Sequence, residues 1–249
     1  MTDGFAGKVV LVNAAAGAGI GGALVRKLLA EGASVAISDI SGKRLDRFAT
    51  ELRAEFGDDR VLARAGDAGD EADVEALFAA VEEWAGRLDV LINSVGLNQL
   101  DPWPNLPVDR WNLVLTASLT AHYLHARAAW PLLQRSSSPA IVNISSLASE
   151  SPAPFGEVAY AAAKAGVLGL TRALATEGAP SGIRVNAVVP GLIWNERLTA
   201  GVAPEYVDAY RSKRLLGRDG EPDEVADVIL FLASEAGRNV TGQAIKVGA

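Results

Sequence analysis

The stretch Lys8-Val9-Val10-Leu11-Val12-Asn13-Ala14-Ala15-Ala16-Gly17-Ala18-Gly19-Ile20-Gly21-Gly22 decides the fold. After Lys8 its opening run is apolar at every position instead of alternating. Strands covered on both faces read this way, as in a parallel sheet. Small residues follow, which let the backbone turn tightly and approach a pyrophosphate. The helix expected after them offers unpaired N–H groups and the positive end of its dipole. Gly17, Gly19 and Gly22 fit the spacing G-x-G-x-x-G. A tight strand–helix turn with no ligand accounts for the same spacing.

The same rhythm repeats outward from this segment. Short β-branched runs at 8–12, 34–38, 61–65, 90–93, 140–144, 184–189 and 244–247 predict strands. Stretches of helical spacing near 19–31, 42–56, 70–85, 107–134, 155–178 and 222–234 lie between them. Such alternation implies βαβ units with right-handed crossovers. The expected architecture is α/β: a single doubly wound Rossmann-type domain over 1–249, with a seven-stranded, mostly parallel sheet flanked by helices. No linker, low-complexity tract or internal repeat divides it. Only 192–214, after Pro190-Gly191, breaks the rhythm, and long insertions after a strand in such folds form lids over ligands.

Asp39 strengthens the dinucleotide reading. It ends the second predicted strand, twenty residues after Gly19. A carboxylate there accepts bonds from the adenosine ribose hydroxyls, and it repels a 2′-phosphate. The residue before Gly19 is Ala18, not a base. NAD is therefore expected over NADP, with Lys43 and Arg44 close enough to soften the preference.

Further motifs stand in order along nearly the whole chain. They are Ala14-Ala15-Ala16-Gly17-Ala18-Gly19-Ile20-Gly21, Asp67, and Asp89-Val90-Leu91-Ile92-Asn93-Ser94-Val95-Gly96. Then come Ile141-Val142-Asn143-Ile144-Ser145-Ser146, Tyr160-Ala161-Ala162-Ala163-Lys164, Pro190-Gly191, Gly217-Arg218, Glu221-Pro222 and Thr241-Gly242-Gln243. Together they resemble the short-chain dehydrogenase/reductase family. Within it, the chain resembles bacterial 3-oxoacyl reductases and dehydrogenases of hydroxyacyl thioesters or alicyclic alcohols. The resemblance implies a nicotinamide cofactor held by Ala15, Gly17, Ala18, Gly19, Ile20 and Asp39. It adds Asp67 with Ala68 at the adenine, Asn93 and Val95 after the fourth strand, and Pro190, Ile193 and Asn195 after the sixth. It also implies that Lys164 bonds the nicotinamide ribose, and that the protein is a homotetramer built through the helices near 107–134 and 155–178 and the last strand.

Tyr160 and Lys164 are four residues apart on a predicted helix and share one face. A free tyrosine titrates near pH 10, and a neighbouring ammonium favours its phenolate. Tyr160 is thus the expected proton acceptor in alcohol oxidation and donor in ketone reduction. Ser146 is the expected hydroxyl for the substrate oxygen, with Ser145 as its competitor on the opposite face. Ser118 stands where the family has a catalytic asparagine, and Asn195 where it often has threonine. Leu97, Trp103, Phe155, Leu192 and Trp194 are expected to wall a largely apolar substrate pocket.

Charge narrows the partners. The chain carries a formal charge of −7 and no basic run, which argues against nucleic acid. It holds no cysteine, so disulfides, thiol nucleophiles and thiolate metal sites are excluded. His122 and His125, with Tyr123 and Trp130, are expected at a surface or interface, and no metal site is expected. The polar start and the short run 9–12 suggest no signal peptide or membrane span, hence a cytoplasmic protein with a small-molecule substrate. Three functions remain open: an NAD-dependent alcohol dehydrogenase or ketone reductase, an NADP-dependent 3-oxoacyl-carrier reductase, and a dinucleotide-binding sensor or scaffold with little turnover.

Overall fold

Seven short strands pair in parallel in the order β3-β2-β1-β4-β5-β6-β7. In chain order the described elements are β1 (Val9–Val12), α1 (Ile20–Ala30), β2 (Ser34–Asp39), α2 (Gly42–Phe56), β3 (Val61–Ala65), α3 (Glu71–Ala85) and β4 (Val90–Asn93). They continue with α4 (Val108–Leu115), α5 (Ala121–Leu133), β5 (Ala140–Ile144), α6 (Val158–Gly178), β6 (Arg184–Pro190), α7 (Pro204–Arg211), α8 (Pro222–Ala233) and β7 (Ala244–Val247). The structure is a computed structural model that describes residues 4–151, 156–193, 204–212 and 214–248.

Alternation along each strand feeds two cores. Val10 and Val12 of β1, with Val35, Ile37 and Val142, face Leu24 and Leu28 of α1 and Ile229 of α8. Val9 and Leu11, with Leu91 and Ile141, face Leu77 and Val81 of α3 and Leu124 of α5. Helices therefore cover both faces, which is why the strand sequences carry no polar face. Side chains start several helices: Asp70 accepts from the Asp73 amide at 3.1 Å, and the Glu224 carboxylate from the Glu221 amide at 2.9 Å. No described helix is long and apolar enough to cross a membrane.

Two expectations change. The helix expected over 107–134 is interrupted by a π-helical turn at Thr116–Thr120, between α4 and α5. The stretch expected as an irregular lid contains α7. Pro204 opens that helix, where a missing N–H costs nothing.

The strand order reverses between β1 and β4, and ligands of open α/β sheets bind at such a switch point, beyond the carboxyl ends of the strands. A buried amide ladder ties that end together. Asn13 Nδ2 donates to Asn93 Oδ1 at 2.8 Å, Asn93 Nδ2 to Asn143 Oδ1 at 2.9 Å, and Asn143 Nδ2 to Thr171 Oγ1 at 2.9 Å. The three asparagines have no exposed surface. A satisfied buried network rigidifies, and a broken one leaves orphaned groups. Asn93→Ala is expected to lower stability by roughly 2–5 kcal/mol, since it strands Asn13 Nδ2 and Asn143 Oδ1, and urea unfolding checks it.

Candidate active site

A cleft of about 900 Å³ opens at the switch point. One wall is the 14–22 turn. A Cβ on Gly22 would sit 1.9 Å from the Gly17 carbonyl oxygen, and one on Gly21 would sit 2.9 Å from that of Ala14. Both positions must be glycine for the chain to turn this tightly. Nothing lies within 4 Å of a Cβ on Gly19, the N-cap of α1. No side chain caps α1, so its first-turn amides are left for a ligand. This cradle fits the pyrophosphate of a nicotinamide dinucleotide. Ala15, Gly17, Ala18, Gly19 and Ile20 all line it.

Asp39 lies at the far end of the cleft, 7% exposed. Its Oδ1 accepts from the Ser41 amide at 2.9 Å and from Arg44 Nη2 at 2.7 Å, and its Oδ2 accepts from the Ala16 amide at 3.3 Å. The carboxylate thus joins the glycine turn to α2 and holds a guanidinium at the cleft. Arg26 and Arg47 also line this end.

At the opposite end α6 presents Tyr160 and Lys164. Lys164 is 2% exposed. Its Nζ donates to the Ile144 carbonyl at 2.8 Å and to the Val95 carbonyl at 3.2 Å, and lies 5.8 Å from the centroid of the Tyr160 ring. Burial pushes this lysine down to about 7. Burial also pushes the Tyr160 phenol up to about 12, with the Ser146 hydrogen bond pulling it down and the Glu157 charge adding to the rise. The sequence led to the opposite expectation, a tyrosine lowered by lysine. Desolvation disfavours the charged forms of both groups, and it dominates here.

The two serines separate cleanly. Ser145 Oγ donates to the Lys164 backbone carbonyl at 2.8 Å and pins α6 to β5. Ser146 Oγ lines the cleft beside Tyr160, whose phenol it pulls down, and accepts from the Ala148 amide at 3.2 Å. The Ser118 hydroxyl is bracketed by one residue, accepting from the Leu97 amide at 2.9 Å and donating to the Leu97 carbonyl at 3.3 Å. It is buried in the π turn and does not line the cleft.

The other expected residues divide. Pro190, Leu192 and Ile193 line the cleft. Asn93 is taken up by the amide ladder, and Val95 offers its carbonyl to Lys164. Asp67 and Ala68 line a separate small hollow beyond β3, where Asp67 Oδ1 accepts from the Gly69 amide at 2.8 Å. Leu97 lies between the lining residues Gly96 and Asn98 without lining the cleft itself. Trp103, expected as a wall, is 68% exposed and stands outside it, because its loop runs along the surface. Phe155, Trp194 and Asn195 fall outside the described residues.

His122 and His125 are a correction: both are buried, not at a surface. Burial, and for His122 the Lys164 charge next, holds His122 well below its usual range, while burial takes His125 to about 4. Both are neutral core groups at pH 7. Among the described residues no cluster suits a metal ion.

Sequence reasoning missed Glu157, Asn98 and the role of Arg44. A carboxylate three residues before Tyr160, on the same helical face, was the available signal for Glu157.

Residues 14–249 match the family model described as enoyl-(acyl carrier protein) reductase. The chain is 40% identical over 241 residues to (5R,7aS)-5-hydroxy-7a-methyl-1-oxo-2,3,5,6,7,7a-hexahydro-1H-indene-carboxyl-CoA reductase of Mycobacterium tuberculosis, covering 97% of this chain and 92% of that one. It is 34% identical to the 3-oxoacyl-(acyl-carrier-protein) reductase FabG of Aquifex aeolicus, covering 97% and 96%. A short-chain dehydrogenase structure from Mycobacterium smegmatis superposes with a TM-score of 0.86 at 37% identity, covering 100% of this chain and 94% of that one. With its seven-stranded sheet, glycine turn and switch-point cleft, the chain belongs to the short-chain dehydrogenase/reductase family and is an oxidoreductase acting on CH–OH groups.

Proposed function

We propose that the protein is an NAD-dependent enzyme that interconverts a secondary alcohol and its ketone on a largely apolar, ring-bearing or acyl-thioester substrate. One observation carries this reading: a single cleft has Tyr160, Lys164 and Ser146 at one end and Asp39 with the uncapped start of α1 at the other. The glycine turn would hold the pyrophosphate, Asp39 the adenosine ribose, Asp67 and Ala68 the adenine edge, and Lys164 the nicotinamide ribose. When bound, the nicotinamide supplies the hydride acceptor or donor.

Ser146 holds the substrate oxygen, and Tyr160 exchanges the proton at that oxygen. In oxidation the carbinol O–H proton goes to the phenolate as the carbinol hydrogen leaves as hydride. In reduction the phenol returns the proton to the ketone oxygen. Lys164 stands beside the ring, charged below its lowered value of about 7, and its two carbonyl partners fix its position. The Ser118 hydroxyl is occupied by Leu97, so proton exchange beyond Lys164 runs without it. Lys164 is the sole basic side chain lining the reacting end among the described residues, which favours a substrate uncharged near its carbinol. The names of the relatives point the same way, toward ring systems and thioesters.

Calorimetry with NAD and NADP, then NADH absorbance over alicyclic alcohols and 3-hydroxyacyl thioesters, tests the reading. Tight NAD binding with no turnover anywhere in the panel would overturn it in favour of a sensor. Arg44 favours NADP as the second reading, because a guanidinium there can meet a 2′-phosphate, while Arg26 and Arg47 beside it are paired with Glu51 and Glu55. Asp39 opposes it. Asp39→Ser is expected to weaken NAD by roughly 10–100-fold and to improve NADP, since Arg44 loses its carboxylate partner. Unchanged affinities for both would remove Asp39 as the discriminator.

Assembly and location belong to the same reading: a cytoplasmic homotetramer through α4–α5, α6 and β7. Leu113, Tyr123 and Val158 are exposed on those helices. Light scattering on the eluting protein checks the assembly.

A further inference from the structure

Glu157 stands one helical turn before Tyr160 and is 1% exposed. A carboxylate taken out of water needs donors to replace the lost hydration. Three uncharged side chains supply them. Asn98 Nδ2 donates at 2.6 Å, the Tyr210 hydroxyl at 2.7 Å, and the Tyr206 hydroxyl as well. Asn98 Nδ2 also donates to the Tyr206 oxygen at 2.9 Å. The two tyrosines lie one turn apart on α7, with ring centroids 5.4 Å apart. Their helix buries Val207 and Tyr210 against Leu147 and Leu192. Asn98, Tyr206 and Tyr210 line the same cleft as Tyr160.

The apolar contact alone would seat α7. It does not require a buried carboxylate, which desolvation makes costly. The placement of that charge within a turn of the reacting tyrosine is what calls for a function. We infer that Glu157 is a positioning residue for the reaction: its carboxylate, one helical turn before Tyr160, latches α7 across the substrate end of the cleft.

This inference rests on the proposed role of Tyr160. Two consequences follow from one group. The latch fixes the two rings that shape the substrate end, and the carboxylate behind them disfavours a substrate anionic near its reacting carbon. The charge also opposes a phenolate. Burial is the first cause of the raised Tyr160, and Glu157 adds to it against the Ser146 bond. Tyr206 and Tyr210 are themselves pushed far up, by burial first and Glu157 next, so both stay donors at any working pH. The titratable groups around Tyr160 are Lys164 on its own helix, Glu157 at the cap of that helix, and the two latch tyrosines of α7, which line the same cleft. The turn after β5 contributes the neutral Ser146 hydroxyl.

The test compares Glu157→Gln with Tyr210→Phe in the full chain. Hydrogen exchange of the 204–211 amides, measured without substrate, is expected to accelerate about tenfold in both. The rising limb of the alcohol-oxidation pH profile is expected to move to lower pH by roughly 0.5–1 unit in Glu157→Gln, because a negative charge beside the phenol is gone. Tyr210→Phe keeps that charge, so it raises KM and leaves the limb in place. Unchanged exchange in Glu157→Gln would overturn the latch, and an unmoved limb would overturn the charge effect. Full activity in Tyr160→Phe would instead defeat the parent reading, and the exchange result would still decide the latch.

Discussion

Tyr160→Phe is expected to lower turnover of a secondary alcohol by roughly 10³-fold while NAD affinity stays close to that of the unaltered protein. The substitution keeps the ring and its packing and removes one oxygen. That oxygen lies beside Ser146 in the cleft and is the group placed to exchange the substrate proton. The cradle at Gly19 and the Asp39 carboxylate lie at the other end of the cleft and are untouched. Calorimetry and NADH absorbance on the same preparation separate the two effects. Turnover equal to the unaltered enzyme would assign the proton step elsewhere. Loss of both binding and turnover would show that the variant disturbed the fold.

Lys164→Met is expected to trade activity for stability. A cation 2% exposed, held by two carbonyls and no carboxylate, is destabilising at neutral pH. Its folded value of about 7 lies below the 10.5 of an exposed lysine. Between those limits the unfolded chain binds more protons than the folded one. Stability therefore falls as pH drops from about 10.5 to 7 and is fully reduced below that. The difference corresponds to roughly 3–5 kcal/mol. Tyr160, raised to about 12, acts oppositely and only above pH 10. Methionine fills similar volume without charge, so the variant is expected to unfold at higher denaturant at pH 7 and to lose the slope between pH 7 and 10. Its turnover is expected to fall by about 10²-fold or more, because Tyr160 loses the amine held beside its ring. A variant less stable at pH 7, with the slope retained, would show that Lys164 is not strained by its burial.

Much of the fold was legible because burial on both faces writes itself into the strands. The run Val9-Val10-Leu11-Val12 has no polar face, and its neighbours in the sheet match it. The amphipathic period of the helix pattern did not register the π turn at Thr116–Thr120, since one extra residue per turn rotates the pattern without interrupting it. Helix α7 was hidden by Pro204, which sequence rhythm reads as a break and the helix uses as its first residue. The histidines of α5 were misplaced because a polar ring on a helix gives no sign of how deeply its helix is packed.

For the site, identity came from the chain and partnership came from the fold. Residue types at set spacings determined the glycine turn, the strand-end carboxylate and the Tyr160–Lys164 face, because those rest on backbone geometry and helical period. Ser145 and Ser146 are identical in type and adjacent, so only the approach of α6 to β5 decides which hydroxyl is spent on the Lys164 carbonyl and which meets Tyr160. The same holds for proton affinity. Sequence places a lysine beside a tyrosine, and the tertiary structure decides how much water surrounds them. Desolvation is a property of everything packed around a group, and here it outweighs the neighbouring charge. Glu157 is the clearest instance: its three donors come from segments 59, 49 and 53 residues away, and folding alone brings them to one carboxylate.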